Sequence, residues 1–365
     1  MSKIEQLIQQ LCPEGVEYKR LGEVCATLTP KIKIKAHDYL ESGQYPIIDQ
    51  GQEFIGGYTN EEGVFPSGKY VLFGDHTCTV KYVDFPFAQG ADGLKVIVAH
   101  EKSLIPKFLY YCMCNIHIQA DYARHWGKMK ENEIPLPPLP VQQEIVRILD
   151  AFTELEAELE AELEARRRQY AYYRDQLLDF TEREDVPWLT LGEATTIQTG
   201  SKPAEILDSG RYLYINAGTS PSGFVSEYNT LGDTVTTPSR GQGGIGYVGY
   251  SSDCFWCGPL CYRIRSVNDQ LLNKFLYYSL CSNASQILAC KKEGGTPAVN
   301  RCDLAKIPIP LPPLEEQERI VGILDRFDAL TTSLTDGLPA EIEARQAQYA
   351  HYRDRLLAFP GRTCA

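Results

Sequence analysis

No uninterrupted apolar run in the 365 residues approaches the length that crosses a bilayer. The opening MSKIEQLIQQLCPEG alternates apolar and charged positions instead of building the apolar core of a secretion signal. A cytoplasmic protein without membrane contact is the expectation. The twelve cysteines are scattered along the chain and read as reduced thiols, not as a disulfide framework. Cys254, Cys257 and Cys261 in CFWCGPLC come nearest to a metal pattern, but no second ligand pair follows. The six histidines, His37, His76, His100, His117, His125 and His351, keep no ligand spacing. G-x-S-x-G, H-E-x-x-H and the Asn-Pro-Pro-aromatic or Asp-Pro-Pro-aromatic motif of amino-methyltransferases are all missing. Together these gaps favour a binding protein, and no catalytic, cofactor or metal residue is singled out.

Two glycine-rich matches keep a nucleotide-using enzyme open as a rival. GVFPSGKY (63–70) has most of a phosphate loop, but Tyr70 replaces the magnesium-holding hydroxyl and the following YVLFG reads as a strand. GQGGIG (241–246) fits a dinucleotide fingerprint without a surrounding βαβ unit, so a tight turn is the simpler reading.

Basic charge is scarce: the net charge is −12. That argues against a nucleic-acid partner until the distribution is examined. Residues 134–185 carry 6 basic against 13 acidic side chains, and residues 307–365 carry 6 against 9. The segments between are near neutral, with 13 basic and 15 acidic residues over 16–133, and 10 and 9 over 186–306. Acidic rods thus separate two units that can each present a local basic face.

What the chain has in abundance is self-similarity. IPLPPLPVQQEIVRILDAF (Ile134–Phe152) returns as IPLPPLEEQERIVGILDRF (Ile309–Phe327), and EARRRQYAYYRDQLLDF (Glu164–Phe180) as EARQAQYAHYRDRLLAF (Glu343–Phe359). LGE at Leu21 and Leu191, and KFLYY at Lys107 and Lys274, are fainter echoes. Prolines 135, 137, 138 and 140 should hold IPLPPLP extended and out of helix. Beyond it Ile145, Ile148, Phe152, Leu155, Leu159, Leu163, Arg166, Tyr170, Tyr173, Leu177 and Phe180 step by three or four, a coiled-coil seam that needs a partner helix. The second copy offers one through Ile320, Ile323, Phe327, Leu330, Leu334, Leu338, Ile342, Arg345, Tyr349, Tyr352, Leu356 and Phe359, with a break expected at Gly337 and Pro339. ELEA repeats three times over Glu154–Ala165, and Glu162 and Glu164 can each meet Arg166 and Arg168. From Val141 to Phe180 the first rod would span about 60 Å.

Both units read as mixed and strand-rich. KYVLFG, TVKYV and LKVIVA in the first, and RYLYIN, IGYVGY and CYRIRS in the second, are β-branched or aromatic runs; a helix follows each set, at IPKFLYYCMCN and LLNKFLYYSLCS. KIKIK puts Lys31, Lys33 and Lys35 on one face of an extended segment, suited to a row of phosphates. HWGKMK offers Trp126, Lys128 and Lys130, and PSRGQGG offers Arg240 and Gln242, side-chain types that pair bidentately with guanine and adenine edges. Lys291, Lys292 and Arg301, with His76, Lys81 and Lys202, complete the candidates. Each of these is also what an ordinary solvated surface carries.

CPEGVEYKRLGEV (Cys12–Val24), the two IPLPPL segments followed by Gln142 or Gln317, and the paired EAR…QY…YR…LL…F rods resemble the specificity subunits of type I restriction-modification enzymes. The resemblance covers essentially the whole chain. It implies an α+β protein with two strand-rich target-recognition domains, separated by two long helices packed as an antiparallel coiled coil in a pseudo-two-fold repeat. On this reading 1–133 and 186–306 are the recognition domains, and 134–185 and 307–365 the hinges with their helices. It also implies a noncatalytic subunit that binds double-stranded DNA through one domain per half of a bipartite target. The helices would set the spacer and dock two modification (methyltransferase) subunits, with two restriction subunits joining the holoenzyme. S-adenosylmethionine, ATP and magnesium would belong to those partners. The two units differ in sequence, so two different half-sites are expected, and one ELEA more or less should shift the separation by about 6 Å. The competing expectation is a coiled-coil scaffold that binds proteins and no DNA.

Overall fold

The computed structural model describes residues 2–90, 93–100, 102–119, 123–241, 243–292, 294–333 and 337–361. Helix α1 (Lys3–Leu11) opens on a capping box in which Ser2 and Glu5 satisfy each other's backbone donors. There follow β1 (Glu17–Arg20), α2 (Leu21–Val24), β2 (Cys25–Leu28), β3 (Tyr45–Ile48), β4 (Gly57–Thr59), β5 (Tyr70–Gly74), β6 (Val80–Val83), β7 (Ala88–Gln89) and β8 (Leu94–Ala99). Then come α3 (Pro106–Cys114), α4 (Trp126–Met129), β9 (Glu133–Leu136) and α5 (Leu139–Leu177).

The second half begins with β10 (Trp188–Thr190), α6 (Leu191–Ala194), β11 (Thr195–Thr199), β12 (Tyr212–Ile215), β13 (Phe224–Val225), β14 (Thr234–Pro238), β15 (Gly249–Ser251), β16 (Trp256–Cys257) and β17 (Cys261–Ser266). It continues through α7 (Asn273–Ser282), α8 (Ala284–Ala289), β18 (Lys291–Lys292), β19 (Ala298–Val299), α9 (Arg301–Leu304), β20 (Pro308–Pro310), α10 (Leu314–Thr332) and α11 (Leu338–Leu357). Strand order β2-β8-β5-β6 and β4-β3-β7 in the first half is matched by β11-β17-β14-β15 and β13-β12-β16 in the second. Register matches too, since Val71 faces Ile97 and Val235 faces Ile264.

Two compact units result, Met1–Leu159 with Ile342–Ala365, and Glu160–Glu341. In the first, YVLFG of β5 is buried throughout because both its faces are covered. Val71 and Phe73 join Phe108, Leu109 and Met113 of α3 and Ile145 and Leu149 of α5, while Tyr70 and Leu72 alternate to the other side with Val83, Phe87 and Val96. Phe359 and Pro360 close this unit: Val16 N–H donates to Pro360 O (2.9 Å) and the Tyr18 hydroxyl to Phe359 O (2.8 Å). In the second unit TVTTP of β14 is equally buried but polar. Val235 joins Phe275, Leu276, Ile320 and Leu324, and the Thr234 and Thr237 hydroxyls donate to the carbonyls of Leu231 and Tyr247.

The proline-rich segments are less of a stop than their composition suggests. Pro135 and Ile309 lie in strands paired antiparallel to β1 and β10. α5 already starts at Leu139, with Pro140 in the first turn, where no intrahelical bond needs its missing N–H. The rod ends at Leu177, before the expected Phe180. α10 stops at Thr332 and α11 resumes at Leu338, so the break expected at Gly337 and Pro339 is present. Among the described residues no helix is long and apolar enough to cross a membrane, and no disulfide joins the described cysteines.

Candidate nucleic-acid interface

The central strands β5 and β14 end alike. One residue beyond β5, Asp75 O accepts the N–H of His125 (2.8 Å); one residue beyond β14, Ser239 O accepts that of Val299 (2.9 Å). The next residues are His76 and Arg240, both exposed. Backbone bonds at the strand end therefore draw a sequence-distant candidate segment beside it, HWGKMK through the one bond from His125 and KKEGGTPAVNR through the bond from Val299 and a second from Gly241 N–H to Pro297 O (3.1 Å). The buried Asp75 carboxylate reinforces this in the first unit by accepting Trp126 N–H (2.7 Å) and pairing with Lys95 (3.6 Å). In the second unit Arg240 bridges Ala298, which faces Lys292 across the β18–β19 ladder. Directly opposed residues share a sheet face, so Arg240 and Lys292 flank the small Ala298 side by side. An added Cβ at Gly294 or Gly295 in the hairpin loop would meet nothing within 4 Å.

A second correspondence lies on the three-stranded sheets. The short parallel strands β7 and β16 end at Gln89 and Cys257, opposite Ile48 and Ile215. Their final carbonyls accept Ile34 N–H (3.0 Å) and Ser201 N–H (3.1 Å), and the residues that follow are Lys35 and Lys202, both exposed. KIKIK alternates as its pattern demands: Lys31, Lys33 and Lys35 face solvent, and Ile34 is buried.

Two other candidates, Lys81 and Trp126, are spent on the fold. Lys81 is 5 % exposed and donates from Nζ to Asp49 O (3.0 Å) and Glu53 O (2.5 Å). Burial draws its ammonium below the usual lysine range, so it is a structural lysine and not a surface contact. The Trp126 ring packs 5.9 Å from Phe73 and joins the core. Lys128 is exposed, and Lys130 is exposed with its carbonyl held by Gly22 N–H (2.9 Å). Lys292 pairs with Asp303 (3.1 Å), Lys291 is exposed, and Arg301 opens α9 on the surface. Gln242 lies outside the described residues.

The glycine-rich matches end in strands. GVFPSGKY runs directly into β5, and GQGGIG is followed by β15, so neither opens a helix N-terminus that would hold phosphate. Cys257 Sγ donates to Cys261 O (3.5 Å) inside a small apolar cluster with Phe255. Among the described residues no group of three His, Cys, Asp or Glu is arranged to hold a metal.

The duplicated helical segments meet reciprocally. In the first unit Phe152 stacks on Tyr352 (5.5 Å) and lies 6.3 Å from Tyr349. In the second, Phe327 stacks on Tyr173 (6.1 Å) and lies 6.3 Å from Tyr170. Leu155, Leu159 and Leu177 are half-buried, and Leu163 and Leu356 buried, as the seam requires. Two details differ. Leu330 is 38 % exposed because the seam takes a step of four, not three, from Phe327 and buries Thr331 instead. Glu162 meets Arg166 as expected, but Glu164 takes Arg167 (2.8 Å) and not Arg168. Leu334 lies outside the described residues.

Sequence reasoning saw Gln142 and Gln317 only as part of a motif. Both are fully buried. Gln142 Oε1 accepts Ile105 N–H (2.9 Å), and its Nε2 donates to Ser103 O (2.6 Å) and Pro137 O (2.8 Å). Gln317 does the same with Leu272 N–H (2.9 Å), Gln270 O and Pro312 O (both 2.8 Å). Each side chain thus ties the start of a long helix to the loop before α3 or α7. The repeated Pro-Pro-x-x-x-Gln spacing was the available signal.

The model for the type I restriction modification DNA specificity domain matches residues 13–165 and again 184–344. The specificity subunit of the type I restriction enzyme EcoR124I/EcoR124II from Escherichia coli is 36 % identical over 99 % of this chain and 98 % of its own length. The crystal structure of a type I restriction-modification S subunit from M. genitalium superposes with a TM-score of 0.64 at 20 % identity, covering 95 % of this chain and 97 % of that one. A chain from a structural study of complex assembly in a type I restriction-modification system superposes with a TM-score of 0.59, also at 20 % identity, covering 94 % and 98 %. These two structures share the fold.

Proposed function

The chain belongs to the type I restriction-modification DNA specificity family, as a noncatalytic specificity subunit of a type I restriction-modification complex, and on that footing we propose that each sheet unit reads one half of a bipartite double-stranded DNA target. The supporting observation is positional. Among the candidates, His76 and Arg240 stand two residues beyond equivalent strands, and Lys35 and Lys202 stand one residue beyond equivalent bonds. Unrelated surface charges have no reason to fall in register twice.

In this reading the recognition domains are 1–133 and 186–306. Arg240 reads a base edge with Lys292 beside it, and His76 takes the matching place in the other domain. Lys31, Lys33, Lys35, Lys128, Lys130, Lys202, Lys291 and Arg301 supply phosphate contacts. The 39 residues of α5 rise about 58 Å and fix the spacer. Two modification subunits dock along the helices near the hinges, restriction subunits join them, and S-adenosylmethionine, ATP and magnesium are held by those partners.

Methylation mapping of a host expressing this chain with its modification subunit identifies the target. Arg240→Ala should then relax one position of one half-site, at a cost of about 1–3 kcal/mol for the base it reads. Two half-sites left unaltered in sequence and affinity would count against the reading.

A further inference from the structure

Each unit holds a second duplicated constellation, at the contact between its sheet domain and its long helix, that base and phosphate recognition does not use. In the first, Asp150 of α5 accepts the Tyr111 hydroxyl (2.5 Å) and pairs with Lys107 Nζ (3.0 Å), both from α3. Lys107 in turn lies 5.4 Å above the ring of Tyr82 in β6. In the second, Asp325 of α10 accepts the Tyr278 hydroxyl and pairs with Lys274 (3.4 Å), and Lys274 lies 4.3 Å above the ring of Tyr250 in β15. Tyr111 and Tyr278 are among the fully buried side chains. The tyrosine under each lysine matters because of where its strand leads. β6 pairs with β5 and β15 with β14, and the loops that join these pairs carry His76 and Arg240. One carboxylate on the helix is therefore linked, through one lysine, to the strand pair that presents the candidate base-reading residue.

Gln142 and Gln317 hold the same helices close to their starts, several residues before Asp150 and Asp325. Between the two ties each helix packs apolar side chains on its sheet, Ile145 and Leu149 in the first unit and Ile320 and Leu324 in the second, contacts that are less directional than the polar ties. Two ties separated along the helix define an angle.

We propose that Asp150 and Asp325 are positioning residues: each fixes the angle at which its sheet stands on the long helix, and together they narrow the range of spacer lengths between half-sites that the protein accepts. The inference rests on the half-site reading above and adds to it a pair of residues that touch no DNA.

The test uses the full chain assembled with its modification subunits, and duplexes whose two mapped half-sites are separated by the native spacer or by one base pair more or fewer. Asp150→Asn and Asp325→Asn keep an acceptor for the tyrosine hydroxyl and lose the charge that holds the lysine. Lys274→Gln removes the same tie from the other side and leaves the Tyr278 bond intact. The expected result is a preference for the native spacer reduced about fivefold in each variant, with both half-site sequences and the salt dependence unchanged and with partial recovery in Asp325→Glu. A uniform loss of binding on every spacer, accompanied by a lower melting temperature, marks a merely structural role and overturns the proposal, as does an unchanged preference in both Asp325→Asn and Lys274→Gln. Wild-type protein that binds single half-sites as tightly as paired ones would instead remove the bipartite reading itself.

Discussion

The two four-stranded sheets share a topology and a register but few residues, whereas the duplicated helical segments agree at 13 of 19 and 12 of 17 positions. β5 is YVLFG and β14 is TVTTP; only the valine that meets the α3 or α7 core is common to both. What the pair teaches is which atoms carry the shared architecture. Backbone ladders, a buried glutamine and a helix seam recur, and the side chains at the strand ends are left to vary. A fold held this way can change what it reads without changing how it stands.

The sharpest challenge to that equivalence is the pair Gln142→Ala and Gln317→Ala. Each strands a buried N–H and two carbonyls, and each should cost about 2–4 kcal/mol in denaturant unfolding. A large cost in one unit with none in the other would show that the two ties are not the same device. Next in size is the divergence at the strand ends. Arg240→Ala and His76→Ala should alter different half-sites, with about 1–3 kcal/mol at stake for the arginine, as read by competition binding on single-base target variants.

A third measurement isolates a difference between the repeats, since Glu144 of the first stands where the second has Arg319. Glu144 anchors α1 by accepting Lys3 Nζ (2.7 Å) and a two-bond fork from Arg147, and these bonds hold its carboxyl down at about 2. A depressed value means the contribution is complete above the unfolded glutamate pKa of about 4.3. It fades as pH falls toward 2. The melting difference between wild type and Glu144→Gln should therefore be full at neutral pH and vanish at the acid end. The smallest effect belongs to Lys31, Lys33 and Lys35. Alanine at all three should flatten the slope of log affinity against log salt by about 0.9 for each phosphate no longer neutralised, leaving the target sequence untouched.

Much of the helical architecture was legible because its signal is periodic and stated twice. Phe152, Tyr349 and Tyr352 could be named from spacing alone, and so could Phe327, Tyr170 and Tyr173. The choice between Leu330 and Thr331 could not, because a step of three and a step of four both keep a seam, and local helix pitch decides which is buried. The identity of the two sheets was hidden for a different reason. Strand order is written in backbone hydrogen bonds, and YVLFG and TVTTP satisfy the same ladder with opposite polarity. Lys81 misled because the carbonyls that bury its ammonium, Asp49 O and Glu53 O, come from a loop about 30 residues earlier. In contrast, nothing in the sequence links Lys35 of the KIKIK row to Lys202, or His76 to Arg240 of PSRGQGG; the backbone bonds place them at equivalent positions of the two units.

The bonds from Val16 and Tyr18 to Pro360 and Phe359 give the chain an order of assembly. Residues 160–341 form one continuous stretch and can fold as soon as they leave the ribosome. The other unit is split, and the hydroxyl of Tyr18 waits across 341 positions for its acceptor. Closing so long a loop is entropically slow. The split unit is thus completed only after the continuous one has been made, so the segment holding Tyr18 stays open while residues 160–341 are already whole.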